Sequence, residues 1–222
     1  MKRAARRQKV ADEERIRAFI NSLDKGNEPY LDELEREAIE TDVPIVRKDT
    51  QALMKFLMAQ MAPENILEVG CAIGFSALLM AQYSGPETKI TTIEKYEKRI
   101  PIARDNFLKY DLGKKITLLE GDAMDILKTL PVGYDFIFMD AAKGQYINFL
   151  PECMRVLKKG GLLVSDNVLQ DGDVFESRFA VTRRNRTIHA RMRDYLYELT
   201  HNDELQTVIL TVGDGMSLSV KL

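Results

Sequence analysis

The sequence predicts an α/β fold, a doubly wound and mostly parallel seven-stranded sheet that closes with an antiparallel C-terminal edge hairpin. Three observations carry this expectation. Five short apolar runs recur from residue 65 onward, amphipathic stretches separate them, and two further runs near the end are joined by Gly213-Asp214-Gly215.

The five runs are NILEVG (65–70), KITTIE (89–94), KITLLEGDA (115–123), YDFIFMD (134–140) and GLLVSDN (161–167). Strands covered on both faces read as continuous apolar runs, and parallel neighbours need crossover helices. The helices are expected at about residues 75–83, 96–110, 123–130 and 145–157. A further helix is expected over about 176–200, with Phe179, Ile188, Met192, Tyr195, Leu196 and Leu199 on its apolar face. LQTVILTV (205–212) and MSLSVKL (216–222) then alternate in the strand period around a Gly-Asp-Gly turn.

Ahead of the sheet the period is helical. Ile16, Phe19, Ile20 and Leu23 share one face, Lys25-Gly26-Asn27 interrupts it, and Leu31, Leu34 and Ala38 resume it. After Val43-Pro44, a third helix is read from Leu53, Phe56, Leu57, Gln60 and Met61. Residues 1–45 are thus expected to form a helical extension of one domain spanning 1–222, a length that one core can serve.

Composition excludes several classes. Hydrophobic content of 45% and charged content of 30% are those of a folded globular chain rather than a disordered one. No apolar run reaches the roughly 18 residues of a membrane helix, and basic MKRAARRQKV leads into acidic ADEER rather than an apolar signal core. A cytoplasmic location is therefore expected. Cys71 and Cys153 are too few for a disulfide framework and lack metal-ligand spacing, so both are expected to be packed thiols. The formal charge is −2, yet cations cluster: Lys2, Arg3, Arg6, Arg7 and Lys9 at the start, and six arginines without an acid within 178–193. Such local fields steer anionic partners even in an acidic protein.

In an open α/β sheet, ligands bind beyond the carboxyl ends of the strands. The first run ends in Gly70-Cys71-Ala72-Ile73-Gly74, which combines tight turning with a following helix N-terminus. Lacking GxGxxG, it disfavours a dinucleotide and hence an NAD-dependent oxidoreductase. Glu94, at the end of the second run, is placed to accept ribose hydroxyls. Asp122 is open to two readings, an acceptor for an adenine amine or the N-cap of the next helix. The fourth and fifth runs end in Asp140 and Asp166-Asn167. Neighbouring strands lie about 4.8 Å apart, so these three hard oxygen donors can meet on Mg²⁺ or a similar ion. Lys143 can fold back over the same place and act as a general base.

From about Val43 to its end the chain resembles the cation-dependent O-methyltransferases, the family of catechol and caffeoyl-coenzyme A methyltransferases. The carriers are LEVGCAIGFSA, TTIE, EGDA, FMDAAKGQY and VSDNVL, with the Arg-rich RRNRTIHARMRDY. Within the family it is similar to bacterial members that methylate 5-hydroxyuridine at the tRNA wobble position. The resemblance implies a class I, Rossmann-like methyltransferase fold using S-adenosylmethionine and a divalent cation. It places Val46, Glu68, Gly70 and Ser76 around the methionine part, Glu94 at the ribose and Asp122-Ala123 at the adenine. It gives the metal to Asp140, Asp166 and Asn167 and the proton to Lys143. It further implies a homodimer meeting the anticodon loop through Arg183, Arg184, Arg186, Arg191 and Arg193. Small-molecule relatives often carry a bulky aromatic beside the lysine; here Ala142 stands there, which suits a larger substrate. A catechol-like or caffeoyl-coenzyme A-like phenol is the competing substrate, and a non-enzymatic nucleic-acid-binding module the competing class.

Overall fold

The computed structural model describes residues 14–111 and 113–222, so the basic residues 1–9 lie outside the described part. Three helices come first: α1, described over 14–22, α2 (Pro29–Glu40) and α3 (Lys48–Met61). The alternating part follows as β1 (Asn65–Val69), α4 (Phe75–Tyr83), β2 (Lys89–Glu94), α5 (Ile100–Tyr110), β3 (Ile116–Glu120), α6 (Ala123–Thr129), β4 (Tyr134–Met139), α7 (Tyr146–Val156) and β5 (Leu157–Ser165). The chain ends with α8 (Arg186–His201) and the hairpin β6 (Leu205–Leu210) and β7 (Met216–Lys221).

The seven strands lie in the order β3-β2-β1-β4-β5-β7-β6. The pairs among β1–β5 are parallel, and β7 runs antiparallel to both β5 and β6. From β1 the chain winds outward through β2 and β3, then returns to place β4 on the other side of β1. That reversal opens a crevice at the β1–β4 boundary, where ligands bind in such sheets. Period-two alternation splits the core: Phe136 and Phe138 of β4 face α2–α5, while Ile137 and Met139 face α6–α8. Among the described residues no helix is long and apolar enough to cross a membrane.

The helices depart from expectation in three places. The helix read over 176–200 begins only at Arg186. Ahead of it, Asp171 and Gly172 take φ values of 50° and 95°, and turn bonds join Ala180 N–H to Ser177 O and Asn185 N–H to Thr182 O, so Ser and Thr punctuate the stretch instead of continuing a helix. Phe179 accordingly leaves the apolar face and is 88% exposed, and His189 joins Met192, Tyr195 and Leu199 in its stead. In α3 the buried side is Thr50, Gln51, Met54, Leu57 and Met58, with Phe56 62% exposed. The reason is polar: the buried Gln51 amide bonds Asn27, Glu35 and the Val46 carbonyl, so this face turns inward despite its hydrophilic letters. Finally, α5 starts at Ile100 rather than 96, with Pro101 in its first turn where a missing N–H costs nothing. Ile16, Phe19 and Ile20 of α1, and Leu23 in the turn after it, are all exposed.

Candidate active site

The carboxyl ends of β1, β2, β4 and β5 surround a cavity of about 640 Å³, within the roughly 300–1,000 Å³ usual for small-molecule sites. Val46, Gly70, Ser76, Glu94, Asp122, Ala123, Asp140, Lys143, Asp166 and Asn167 all line it. Ten of the residues singled out in the sequence therefore meet in one place.

The β1 turn is shaped by contact. Gly70 has φ 92°, and a Cβ there would run into the Asp140 carbonyl on the neighbouring strand. No larger residue fits without moving Asp140. Behind Gly74 the helix α4 begins with no side-chain cap, so its first N–H groups are left for a ligand.

Glu94 is fixed by backbone donors. Its carboxylate accepts from Ala72 N–H at 2.9 Å, Lys95 N–H at 2.9 Å and Tyr96 N–H at 2.7 Å. A carboxylate offers about four lone-pair directions, so these bonds pin the glycine turn to β2 and leave about one direction for a ligand hydroxyl in the cavity. Asp122 is in fact the N-cap of α6: it accepts from Met124 N–H at 2.9 Å and pairs with Lys95 Nζ at 3.1 Å. Both bonds hold its carboxyl below the usual range, the N–H of Met124 most strongly.

Glu68 does not line the cavity. It is fully buried between β1 and β2 and takes a hydrogen bond from the Thr92 hydroxyl; among the described residues nothing bonds Oε1 within normal geometry, although the Ser76 hydroxyl is near. Burial pushes its pKa up to about 7, against the opposing pull of the Ser76 and Thr92 hydroxyls. It stands behind Ser76, which does face the cavity.

Asp140 and Asp166 emerge side by side. Met139 of β4 and Ser165 of β5 are register partners, and Asp166 N–H bonds the Met139 carbonyl at 3.0 Å, so the next residue on each strand is an aspartate at the same level. Burial raises Asp140 to about 6, although Lys143 and Arg99 pull it down. Burial also raises Asp166 to about 7, with the Asp140 charge adding to the effect. Two desolvated carboxylates that repel one another are suited to a shared cation. Asn167, at φ 55°, follows directly, its N–H held by Asp166 Oδ1 at 2.7 Å. Among the described residues no three His, Cys, Asp or Glu side chains converge as a metal site, so a cation here would draw on the Asn167 amide oxygen and on non-protein oxygens. The donor chemistry fits Mg²⁺.

Among the lining residues that the letters did not point to are Arg47, Arg99, Asp171 and Asp214. Arg47 pairs with Asp171 at 3.1 Å, and Asp214 Oδ1 accepts from Asp171 N–H at 2.7 Å. Asp214 belongs to the hairpin turn and Arg47 to the link before α3. Neither sits at the carboxyl end of a parallel strand, where ligand-binding residues of such sheets are expected.

The arginines are not one helical face. Arg183 and Arg184 precede α8, exposed and without hydrogen bonds to other described residues. The other three serve neighbouring carbonyls: Arg186 on Val181 at 3.3 Å, Arg191 on Gly144 at 3.0 Å and Arg193 on Val174 at 2.9 Å. Their guanidinium groups are partly committed to holding the turns around α8.

The family model described as O-methyltransferase matches residues 21–222. The chain belongs to the O-methyltransferase family. It is 26% identical over 162 residues to the catechol O-methyltransferase of Mycobacterium tuberculosis, covering 72% of this chain and 74% of that one. To caffeoyl-CoA O-methyltransferase 2 of Populus trichocarpa it is 30% identical over 184 residues, 77% of this chain and 72% of that one. The structure of the Podospora anserina methyltransferase PaMTH1 with bound S-adenosylhomocysteine (SAH) superposes with a TM-score of 0.85 at 25% identity, covering 96% of each chain. The seven-strand order and the antiparallel C-terminal hairpin of this O-methyltransferase are those of the class I fold.

Proposed function

We propose that this O-methyltransferase uses a divalent cation, Mg²⁺ in the first instance, to methylate the 5-hydroxyl of 5-hydroxyuridine at the tRNA wobble position, yielding 5-methoxyuridine. The observation that carries the cation dependence is the pairing of half-buried Asp140 with buried Asp166 beside Asn167. Exposed Arg183 and Arg184 and the small Ala142 next to Lys143 support a large polyanionic substrate.

Asp140, Asp166 and Asn167 would hold the cation. A bound cation supplies Lewis acidity that lowers the pKa of a substrate hydroxyl, and S-adenosylmethionine supplies the methyl group. Lys143 accepts the hydroxyl proton at Nζ, so the substrate oxygen attacks carrying an extra electron pair. Bond formation from that oxygen to the methyl carbon and loss of the carbon–sulfur bond occur together, leaving a neutral thioether. Val46, Gly70 and Ser76, backed by Glu68, take the methionine part; Glu94 takes the ribose; Asp122 and Ala123 take the adenine. Alignment of the reacting atoms is the main contribution of these contacts. A wobble base lies in a single-stranded loop and can be splayed into such a cavity while arginines hold the flanking phosphates. The reading places the enzyme in the cytoplasm as a homodimer.

A small phenol is the second reading, favoured by the names of the catechol and caffeoyl-CoA relatives. Labelled methyl transfer from S-adenosylmethionine separates the two. Transfer to tRNA lacking the methoxy mark supports the wobble-uridine reading. Transfer to catechol with none to that tRNA overturns it.

A further inference from the structure

Beneath the two aspartates lies a pair of buried tyrosines that the chemistry above does not use. Tyr146, at the start of α7, is fully buried, and its hydroxyl lies 3.2 Å from the Met139 carbonyl and 3.1 Å from the Asp166 carbonyl. The first carbonyl immediately precedes Asp140 in the chain, and the second belongs to Asp166 itself. One phenol thus spans the ends of β4 and β5 just where each delivers a carboxylate. Its single proton is shared between, or alternates between, the two acceptors. The Tyr146 ring meets Tyr195 of α8 edge to face, with centroids 5.5 Å apart at 77°. The Tyr195 hydroxyl lies 2.6 Å from Ser165 Oγ, one residue before Asp166. Both rings are locked in the core between α7, α8 and the sheet, so the brace cannot drift.

We propose that the Tyr146 hydroxyl is a positioning residue for the cation site: by tying the Met139 and Asp166 carbonyls it fixes the separation of the Asp140 and Asp166 carboxylates. The proposal rests on the reading that these aspartates hold a divalent cation. Its physical basis is the cost of misplacement. A hard ion such as Mg²⁺ demands close to ideal ligand geometry, and groups that orient its ligands typically govern affinity by about 10–100-fold. Between adjacent strand ends the ladder has stopped, because Met139 and Ser165 are its last partners. Beyond them the Asp166 N–H bond to Met139 O is the direct link, and the phenol adds a second from below.

The test compares Tyr146→Phe with Tyr195→Phe in the full-length chain. Each removes one buried hydroxyl and keeps the ring, but only the first unties the two carbonyls. Binding of Mn²⁺ alone is followed by electron paramagnetic resonance of the free ion, at a temperature well below the melting point of either variant, and thermal unfolding is recorded in parallel. The expected result is that Y146F binds Mn²⁺ about tenfold more weakly, that Y195F changes the affinity less than threefold, and that SAH binding is unchanged in both. Methyl transfer by Y146F should recover at saturating metal. Wild-type-like Mn²⁺ affinity in Y146F overturns the proposal. So does an equal loss of affinity in both variants that tracks their melting temperatures, since that marks a merely structural role. Failure of the wild type itself to bind Mn²⁺ overturns the underlying cation reading instead. Should Y146F not fold, Tyr146→3-fluorotyrosine, which keeps the ring and makes the hydroxyl a stronger donor and a weaker acceptor, is measured in its place. Its prediction is a retained affinity, and a tenfold loss would contradict the brace.

Discussion

Replacing Gly70 with alanine separates two costs that the structure distinguishes. At φ 92° an L residue is strained, which costs about 1–2 kcal/mol. The added Cβ also meets the Asp140 carbonyl and backbone, which cannot swing aside as a side-chain tip can. Forcing a methyl group into such a place typically costs a further ~1–3 kcal/mol. At about 2–4 °C per kcal/mol for a chain of this size, Gly70→Ala should lower the melting temperature by roughly 4–20 °C. Gly160→Ala is the control, because φ there is 76° but nothing lies within 4 Å of the new Cβ. Its loss should be the strain alone, roughly 2–8 °C. Differential scanning calorimetry gives both values, and Mn²⁺ titration should show weakened binding in Gly70→Ala only, because Asp140 is the residue displaced. If the two variants melt together and bind Mn²⁺ equally, close packing of the β1 turn against Asp140 is not what fixes the site.

Lys143→Met should cut kcat by about 10²–10⁴-fold, the range of a lost general base, while leaving Mn²⁺ and SAH binding within a few-fold of wild type; calorimetry and single-turnover kinetics check this. Charge reversal at Arg183 and Arg184 should raise KM for tRNA and flatten its salt dependence with little change in the rate on catechol; unaltered tRNA kinetics would remove these residues from the RNA surface. Glu68, raised by burial to about 7 from an ordinary 4.5, binds a proton more tightly folded than unfolded, so its ionisation takes stability away as pH climbs from about 4.5 to 7. Glu68→Gln cannot ionise, so its melting temperature relative to wild type should rise between pH 5 and pH 8; a constant difference across that range would contradict the buried-carboxylate account.

Where one physical signal dominated, the letters were enough. Strands of a doubly covered sheet must be apolar throughout, so YDFIFMD and GLLVSDN announce both the strands and their polar ends. Convergence of Asp140 with Asp166 then follows once the two strands are neighbours. The turn Gly213-Asp214-Gly215 announces the hairpin for the same local reason. What failed was periodicity under polar burial or turn chemistry. Gln51 faces inward through three amide bonds, which rotates α3 away from the face that Phe56 suggested. Phe179 matches a helical stripe but falls in turns set by Ser177 and Thr182. The end-of-strand position of Glu94 is legible in the letters, whereas the three backbone N–H groups that hold its carboxylate in place are a tertiary feature no spacing reveals. The clustering of the arginines within 178–193 is plain in the letters, whereas the carbonyls of Gly144, Val174 and Val181 that engage three of them are brought near only by the tertiary fold.

The most direct measurement is methyl transfer from labelled S-adenosylmethionine to tRNA lacking the methoxy mark, with the purified protein before chelation, in EDTA, and after Mg²⁺ is restored. The account predicts labelled 5-methoxyuridine in the nucleoside digest, its loss in chelator and its return with Mg²⁺, and no return for Asp140→Ala or Asp166→Ala. Full transfer in EDTA, or full transfer by either aspartate variant, would contradict it.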